Sequence, residues 1–339
     1  MINDLEKKLF DFITSELENI SLKDLRKEYI DLSEKYRLRK NLSFNNDLQK
    51  LAYITSRMPA TFNSLKFTLN QIIKIAPNYK INSVLDLGSG PGTSILSVFS
   101  ILPDIKEIKL VEKDKFLFDL SKKISSLLDL NKNILLERND ILRVKDYDSD
   151  LVILSYVANE LKDFAIDKII KRWFFSKSKM VLFLEPGTRY GFEKIRYIRQ
   201  KLIDNKCYVV APCPNELKCP MKNNDWCHFY VRVKRTKLHK FLKSGTLGYE
   251  DEKFSYVIAV KEPITKNNAR IMGFTKNDKT KVKLKVCMDG EIKNTEVLNI
   301  LWGCFLCVFH REIATHIIYC IHRFFVKTQK FWILRQRYS

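Results

Sequence analysis

The stretch Val84-Leu85-Asp86-Leu87-Gly88-Ser89-Gly90-Pro91-Gly92 decides the fold of this 339-residue chain. A short apolar run contains an acidic residue, and glycines follow at every second position before a helical pattern begins. Glycine lets the backbone approach a ligand closely and adopt conformations closed to other residues. A glycine-rich turn between a strand and a helix therefore predicts a nucleotide site at the carboxyl edge of a parallel sheet.

Three kinds of nucleotide-binding turn compete for this stretch. A phosphate-binding P-loop needs a lysine after its last glycine, and here Thr93-Ser94 follows without one. A dinucleotide turn has G-x-G-x-x-G spacing, whereas Gly88, Gly90 and Gly92 form G-x-G-x-G. With an acid at its start, the turn resembles motif I of the class I S-adenosylmethionine-dependent methyltransferases; a glycine turn without a ligand is the alternative. The residues of the turn that this resemblance implies in cofactor binding are Asp86, Gly88, Ser89, Gly90 and Gly92.

The surrounding pattern predicts an α/β fold, a class I methyltransferase (Rossmann-like) doubly wound sheet. Apolar runs alternate with helical segments at spacings of roughly 20–30 residues, which favours strand-helix-strand units. Glu112 ends the second strand, where it is placed to accept hydrogen bonds from ribose hydroxyls, and Asn139-Asp140 closes the third, where an adenine amino group could be read. The expected strands are Val84–Leu87, Ile108–Val111, Ile134–Leu136, Leu151–Leu154, Val181–Leu184, Tyr208–Val210, Phe229–Val233 and Phe254–Val260.

The chain is expected to hold one large domain with appendages. Leu5, Leu9 and Ile13 recur at helical spacing, and Pro59 is expected to mark a turn or a helix start. A Lys-rich segment from Arg270 to Ile292 has the alternation of β structure. The predicted segments are a helical N-terminal part at 1–80, the methyltransferase-like domain at 81–262 with a cysteine insertion at 211–230, a small β segment with Cys287 at 263–295, and a divergent tail at 296–339.

The charge balance predicts a polyanionic partner. The chain has 60 Lys and Arg against 39 Asp and Glu, and Arg189–Lys261 alone has 16 against 7. Clustered cations gain free energy by displacing counterions from phosphates, so nucleic acid is the leading candidate, ahead of an acidic membrane surface. A solvated face is the alternative. The residues expected to contact nucleic acid are Arg232, Lys234, Arg235, Lys237 and Lys240.

The N-terminus begins with charged residues before any apolar run, which excludes a secretory signal peptide. No stretch of about 18 clean apolar residues suggests a membrane span. We therefore expect a cytoplasmic protein without a membrane partner, in which the eight cysteines are reduced. Clustered cysteines in that setting are better interpreted as metal ligands or nucleophiles than as disulfides.

The residues after the fourth strand do not identify a catalytic group. Enzymes that methylate amino groups of nucleic acids carry an Asn/Asp-Pro-Pro-aromatic motif there, whereas this chain has Ser155–Leu161 without prolines. Asn159 and Glu160 are weak catalytic candidates that either orient a substrate or cap the next helix. Cys213 follows a proline, as the nucleophile of RNA cytosine methyltransferases does, but it comes after the fifth strand and its helix, so nucleophilic catalysis is disfavoured.

Three clustered cysteines form a candidate metal site, and a fourth cysteine stands alone later in the chain. Cys213, Cys219 and Cys227 are spaced C-x5-C and C-x7-C, unlike the C-x2-C of ordinary zinc ribbons, and Cys287 stands later in the chain. Two of them precede proline, as in iron–sulfur runs. Buried structural cysteines are the alternative, and His228 is equally well a core histidine or a ligand. By spacing alone both zinc and a [4Fe–4S] cluster remain open.

Several motifs in the same order resemble the mitochondrial small-subunit ribosomal methyltransferase-like family and its bacterial relatives, over roughly residues 45–290. The resemblance implies a class I methyltransferase fold, association with the small ribosomal subunit and its rRNA, and S-adenosylmethionine. It also implies a four-cysteine [4Fe–4S] cluster, which matches Cys213, Cys219, Cys227 and Cys287. It leaves open whether the protein methylates rRNA or is a non-catalytic assembly factor or structural RNA binder. The motifs are Ser56–Thr61, Asp86–Gly92, Asn159–Leu161, Glu185–Thr188, Ala211–Pro214, Asp225–Phe229 and Tyr249–Tyr256.

The end of the chain departs from this resemblance after about Glu296. Leu298–Leu334 is rich in Cys, His, Phe, Ile and Trp, unlike a basic polar tail. Cys304 and Cys307 have zinc-like spacing, but no second pair follows, so we interpret the pair as incidental. The pattern does not indicate a function for this tail.

Overall fold

A computed structural model gives the structure of the chain. It describes residues 2–38, 44–102, 104–128, 133–222, 225–277 and 281–298. The helices are α1 (Ile2–Ser15), α2 (Leu22–Leu38), α3 (Asp47–Ile75), α4 (Thr93–Ile101), α5 (Lys115–Leu127), α6 (Asp163–Phe175), α7 (Arg189–Asp204) and α8 (Lys237–Lys243). The strands are β1 (Ser83–Leu87), β2 (Glu107–Val111), β3 (Asn133–Glu137), β4 (Leu151–Ser155), β5 (Met180–Pro186), β6 (Tyr208–Ala211), β7 (Phe229–Lys234), β8 (Tyr249–Val260), β9 (Ala269–Asn277), β10 (Lys281–Met288) and β11 (Glu291–Leu298).

The central sheet has the strand order β3-β2-β1-β4-β5-β8-β6. Strands β1 to β5 pair in parallel, and β8 runs antiparallel to both β5 and β6. Within the sheet, the chain enters at β1 and continues outward through β2 to β3. It then crosses back to β4 on the other side of β1 and continues in the opposite direction, so the carboxyl ends of β1 and β4 meet at the switch point. This confirms the predicted doubly wound class I methyltransferase fold.

Helices cover both faces of this sheet because apolar residues alternate between the faces along each strand. Val84 packs into the layer of α3, α4 and α5, whereas Leu85 packs into the layer of α6 and α7. Central strands buried on both faces explain the near-continuous apolar runs in the sequence. The two apolar layers hold the switch point rigidly between them.

The expected break at Pro59 is wrong, because Pro59 lies inside the 29-residue helix α3. Proline has no N–H to donate to the carbonyl of Thr55 four residues earlier, which usually costs about 3 kcal/mol or more. The flanking side chains of Met58, Ala60 and Phe62 are all almost fully buried against the sheet and its neighbours. Their burial outweighs the lost hydrogen bond, so tertiary packing extends the helix through the proline.

Strand β8 begins at Tyr249, five residues before the predicted start, and its first half pairs with β7, which belongs to the same sheet. The Lys-rich segment forms a second antiparallel sheet in the order β11-β10-β9. Lys285 of that sheet pairs with Asp225 of the cysteine insertion. Within the described ranges, no helix is both long and apolar enough to cross a membrane. The predictions for Cys304, Cys307 and most of the divergent tail fall on residues outside the described ranges.

Candidate functional site

The glycine turn closes against the end of β2. The backbone N–H groups of Gly88 and Ser89 both donate to the carbonyl of Val111, at 2.9 and 3.1 Å. Gly88, Gly90 and Gly92 all have positive φ, and a Cβ on Gly88 would lie 2.6 Å from Cγ2 of Val157. The turn therefore requires glycine both for its backbone angles and for its contact with the segment that follows β4.

Glu112 holds the turn from the neighbouring strand. Its Oε2 accepts a hydrogen bond from the N–H of Gly90 at 2.9 Å, and its Oε1 accepts one from the N–H of Asp114 at 2.8 Å. Burial raises the pKa of Glu112, although these N–H groups oppose the shift. The sequence correctly placed Glu112 beside the turn. The ribose contact itself stays a prediction.

The turn after β3 stabilises itself through its own side chains. The amide of Asn139 donates to Glu137 at 2.7 Å, and the same side chain accepts from the N–H of Asp140 at 2.8 Å. The backbone N–H of Asn139 donates to the carbonyl of Glu112 at 3.2 Å, which fixes this turn next to the glycine turn. A role for Asn139 and Asp140 in reading adenine stays a prediction.

Buried polar atoms without partners surround the switch point. Within the described ranges, no hydrogen-bond partner is found for Asp86 Oδ1, Ser89 Oγ, Asn159 Oδ1 or Glu185 Oε2. Burial raises the pKa of Asp86 to about 7, against a hydrogen bond from Ser94, and raises that of Glu185 to about 8. Buried polar groups in native proteins almost always have partners. These atoms mark a place where a polar ligand can bind.

The segment after β4 packs inward. Tyr156 has a φ of 60°, and its hydroxyl lies 3.0 Å from Ser64 Oγ on α3 and 3.4 Å from Glu252 on β8. Arg57 of α3 forms a bidentate ion pair with Glu252, at 2.6 and 3.1 Å, and lies over the Tyr156 ring. Sequence reasoning quoted the motifs that contain Arg57 and Glu252 but assigned these residues no role, because nothing in the spacing shows that they meet.

Asn159 and Glu160 lie in a single turn of 3₁₀ helix, Ala158–Glu160. The next helix begins only at Asp163, and its N-cap residue Lys162 makes no side-chain cap. The helix-cap interpretation of Asn159 and Glu160 is therefore wrong. Glu185 orders the turn instead, because its Oε1 accepts a hydrogen bond from the N–H of Ala158 at 2.6 Å. The catalytic role stays a prediction.

The four predicted metal-binding cysteines, Cys213, Cys219, Cys227 and Cys287, all line one cavity. Three come from the insertion after β6, and the fourth is brought in by β10 of the second sheet. In the described part of the chain, no three His, Cys, Asp or Glu side chains are arranged to hold one metal ion. The structure thus brings the four cysteines together without placing them around a single point.

Two buried arginines face the same cavity. Arg199 Nε donates to Cys213 Sγ at 3.1 Å, and its Nη2 donates to the carbonyls of Asn215 and Leu217, both at 2.8 Å. Arg270 lies over the Phe229 ring, and its Nε has no partner among the described residues. Neither arginine forms an ion pair with a carboxylate in the described ranges. Buried charges are normally paired, so this cavity can accommodate negative charge.

Burial also changes the acidity of the cavity thiols. It raises the pKa of Cys287 to about 11 and raises the pKa of Cys219 and Cys227 as well, and the neighbouring cysteines add to the shift at Cys227 and Cys287. Without a cation these thiols are protonated at neutral pH. Binding of a metal would therefore release protons.

The five predicted RNA-contacting cations divide into two groups. Arg232 forms a bidentate pair with Asp251, at 2.8 and 3.1 Å, and Arg235 is largely buried against Glu250 at 2.9 Å. No ion pair is found in the described ranges for the remaining lysines, 234, 237 and 240. The arginines thus have structural partners, whereas the lysines leave their charges available at the surface.

Comparison with known proteins finds similar chains. The chain is 28% identical over 194 residues to the mitochondrial Rsm22-cox11 tandem protein 2 of Schizosaccharomyces pombe, covering 52% of this chain and 26% of that protein. It is 23% identical over 232 residues to the human mitochondrial ribosome assembly protein METTL17, covering 64% of this chain and 50% of that protein. The chain therefore spans between a quarter and a half of these curated relatives.

A solved structure is also similar. The magnesium protoporphyrin IX methyltransferase of Synechocystis PCC 6803, with bound SAH, matches 71% of this chain and 99% of its own, at 12% identity and a TM-score of 0.41. The fold assignment rests on the strand order and not on this similarity.

The predicted cytoplasmic localisation is wrong. The matching family and both relatives are described as mitochondrial. The N-terminal argument concerned secretion and did not bear on import into mitochondria. The family model described as "Mitochondrial small ribosomal subunit Rsm22" matches residues 47–299, which include the glycine turn, the Arg57–Glu252 pair and all four cavity cysteines. The chain therefore belongs to the mitochondrial small ribosomal subunit Rsm22 family.

Proposed function

We propose that this protein binds S-adenosylmethionine at the switch point and acts on the mitochondrial small ribosomal subunit. The observation that supports cofactor binding best is the glycine turn, which is hydrogen-bonded to Val111 and Glu112 and is surrounded by buried polar atoms without partners among the described residues. Asp86 lies near the carboxyl end of β1, and Glu112 directly follows the adjacent parallel strand β2, where nucleotides bind in doubly wound sheets. The family and the ribosome assembly protein among the relatives support the small subunit as the partner.

The residues present suit the cofactor. Gly88, Gly90 and Gly92 allow close backbone approach, Glu112 offers carboxylate oxygens for ribose hydroxyls, and Ser89 has a hydroxyl without a partner. When bound, S-adenosylmethionine supplies a methyl group on a positively charged sulfur. The chain's own contribution is to orient the ribose through Glu112 and to keep the turn open for the ligand.

Calorimetry tests the cofactor site. Glu112→Ala should weaken S-adenosylmethionine binding by roughly 1–3 kcal/mol, because it leaves the ribose hydroxyls without their acceptor. The control is Glu107→Ala, which changes a glutamate at the opposite end of the same strand, and it should bind like the wild type. Wild-type protein without measurable binding would refute the proposal.

The cysteine cavity is proposed to hold a [4Fe–4S] cluster bound by Cys213, Cys219, Cys227 and Cys287. A single zinc ion bound at about 2.3 Å draws its four sulfurs close together, whereas among the described residues these cysteines line one cavity without an arrangement around a single point. The unpaired charges of Arg199 and Arg270 complement an anionic cluster. Bound in this way, the cluster would tie the second sheet to the methyltransferase-like domain, because thiolate–metal bonds form only in the folded state.

Metal analysis tests the cluster. Protein purified without oxygen should contain about four irons per chain and absorb broadly near ~400 nm, as cubane clusters do. Cys287→Ser should remove the iron, whereas Cys207→Ser, which changes a buried cysteine outside the cavity, should retain it. One zinc per chain and no iron would refute the cluster but keep the site. Iron retained by Cys287→Ser would refute the grouping of four cysteines.

A second function is favoured by the segment after β4. Tyr156 is held by Ser64 and Glu252, and the Arg57–Glu252 pair packs beside it, so this segment is committed to internal contacts. That arrangement favours an assembly factor that keeps the fold without methylating rRNA. Single-turnover transfer of a labelled methyl group to the small subunit's rRNA separates the two. Transfer that needs a higher S-adenosylmethionine concentration in Glu112→Ala than in the wild type supports the enzyme, and S-adenosylmethionine binding without transfer supports the assembly factor.

A further inference from the structure

Strand β7 and the first half of β8 form a hairpin that continues the central sheet past the end of β5. One of its faces packs inward through Glu250, Glu252 and Phe254, which contact α8 and α3. Because side chains alternate along a strand, the neighbouring residues face away from the protein. The outward face consists of Tyr230, Arg232 and Lys234 on β7 and Tyr249, Asp251 and Lys253 on β8, in the register pairs Tyr230–Lys253, Arg232–Asp251 and Lys234–Tyr249.

Flat groups are held on this outward face. Arg232 is fixed by its bidentate pair with Asp251, and its guanidinium lies 3.9 Å from the centroid of the Tyr249 ring. The Arg232 side chain remains 36% exposed. Tyr230 stands two residues away on the same face and is 62% exposed, among the most exposed large side chains described. The hairpin therefore presents a tyrosine ring and an oriented guanidinium side by side, about 7 Å apart along the strand.

Positive charge adjoins these flat groups. Lys234 and Lys253 are both exposed, and neither has an ion-pair partner in the described ranges. Arg232, in contrast, is already neutralised by Asp251. Its flat guanidinium is therefore available for stacking, whereas its charge is not free to pair with a phosphate. Aromatic rings and guanidinium planes next to unpaired lysines are the combination that binds single-stranded nucleic acid, with bases on the planes and phosphates on the cations.

We propose that the outward face of the β7–β8 hairpin is a stacking platform for unpaired RNA bases. Tyr230 and Arg232 stack the bases, and Lys234 and Lys253 contact the adjoining phosphates. This inference rests on the proposed action on the small ribosomal subunit and specifies its substrate there as single-stranded rRNA. It also reassigns Arg232 from a phosphate contact to a stacking group.

Fluorescence anisotropy with two labelled RNAs tests the platform. One probe is a single-stranded oligoadenylate of about 12 nucleotides, within the site size of stacking domains. The other is an abasic RNA backbone of the same length, which has the phosphates but no bases. Wild-type protein should bind the adenine probe more tightly, because only that probe can stack.

Exposed substitutions separate stacking from charge. Tyr230→Leu should weaken adenine-probe binding roughly 5- to 100-fold, the loss of one stacked base, with the salt slope and abasic binding unchanged. Tyr230→Phe should bind like the wild type, as should Phe164→Leu, which changes an exposed aromatic residue on α6. Lys234→Gln and Lys253→Gln should weaken both probes and lower the salt slope by about 0.7 each.

The outcomes distinguish this inference from the function it rests on. If the wild type binds both probes with equal affinity and Tyr230→Leu binds them with the wild-type affinity, the stacking platform is refuted. Salt-dependent binding of RNA through its phosphates would remain supported by such a result. If wild type binds neither probe nor small-subunit rRNA, the proposed action on RNA fails and the platform fails with it. Unchanged thermal unfolding of the Tyr230 variants, which alter an exposed side chain, shows that any loss is not due to misfolding.

Discussion

The two arginine–carboxylate pairs on adjacent residues of β8 should differ sharply in their contribution to stability. Both are bidentate: Arg57 with Glu252, and Arg232 with Asp251. The Glu252 side chain is only 11% exposed and that of Arg57 27%, whereas both members of the other pair are 36% exposed. The two pairs therefore have the same bidentate geometry and differ in how deeply their side chains are buried.

Removing one member of the buried pair leaves an uncompensated charge. Such a loss costs about 3–5 kcal/mol in a fully buried pair, and because water still reaches Arg57 we expect about 2–3 kcal/mol for Glu252→Met. Asp251→Met should destabilise the protein much less than Glu252→Met, since exposed pairs are screened by solvent. The double variant Arg57→Met/Glu252→Met should regain much of the loss, with a coupling energy of about 2 kcal/mol.

Urea unfolding followed by circular dichroism measures each free energy of unfolding. The slope of the transition should stay constant across the four proteins of the cycle, so that shifts in its midpoint report stability. Equal losses for Glu252→Met and Asp251→Met would show that burial does not set the energy of this pair. Strict additivity in the double variant would show that Arg57 and Glu252 do not interact.

Three further changes test other parts of the structure. Gly88→Ala should lower the thermal unfolding midpoint, because the added Cβ would lie 2.6 Å from Val157 and a φ of +78° costs a non-glycine residue about 1–2 kcal/mol. Adding Val157→Ala to this variant should restore only the part of the loss that is due to the steric clash. An unchanged midpoint for Gly88→Ala alone would contradict the turn geometry. His239 is 1% exposed, and burial lowers its pKa from 6.5 to about 4. The unfolded chain therefore binds the proton first as pH falls, so wild type should lose about 2 kcal/mol between pH 7 and pH 5 relative to His239→Phe, and equal pH profiles would show that the folded histidine titrates normally. Arg199→Met should expose the loop of residues 213–222 to proteolysis, because the carbonyls of Asn215 and Leu217 lose their donor; a loop as resistant as that of the wild type would mean that the arginine does not order it.

Short sequence patterns predicted those parts of the fold that depend on residues close together in the sequence. Mainly apolar runs of three or four residues marked the parallel strands, because strands covered on both faces are apolar almost throughout. The glycine turn was predictable because its positive φ angles exclude most other residues. The limits of β8 were not predictable in this way, since Tyr249–Lys253 is polar and becomes a strand only by pairing with β7.

The sequence by itself determined the doubly wound sheet and the glycine turn with Glu112 beside it, because both are encoded in residue type and spacing. Spacing marked three clustered cysteines, and the family resemblance added Cys287 to them. Only the tertiary structure decided which distant residues meet. The Arg57–Glu252 pair joins positions 195 residues apart, and the helix continues through Pro59 because its neighbours are buried. The same holds for the surface cations, since spacing shows that they are clustered but not which of them already have a carboxylate partner. Side-chain pairing across elements depends on packing, and for that reason the division between neutralised arginines and available lysines appears only in the folded chain.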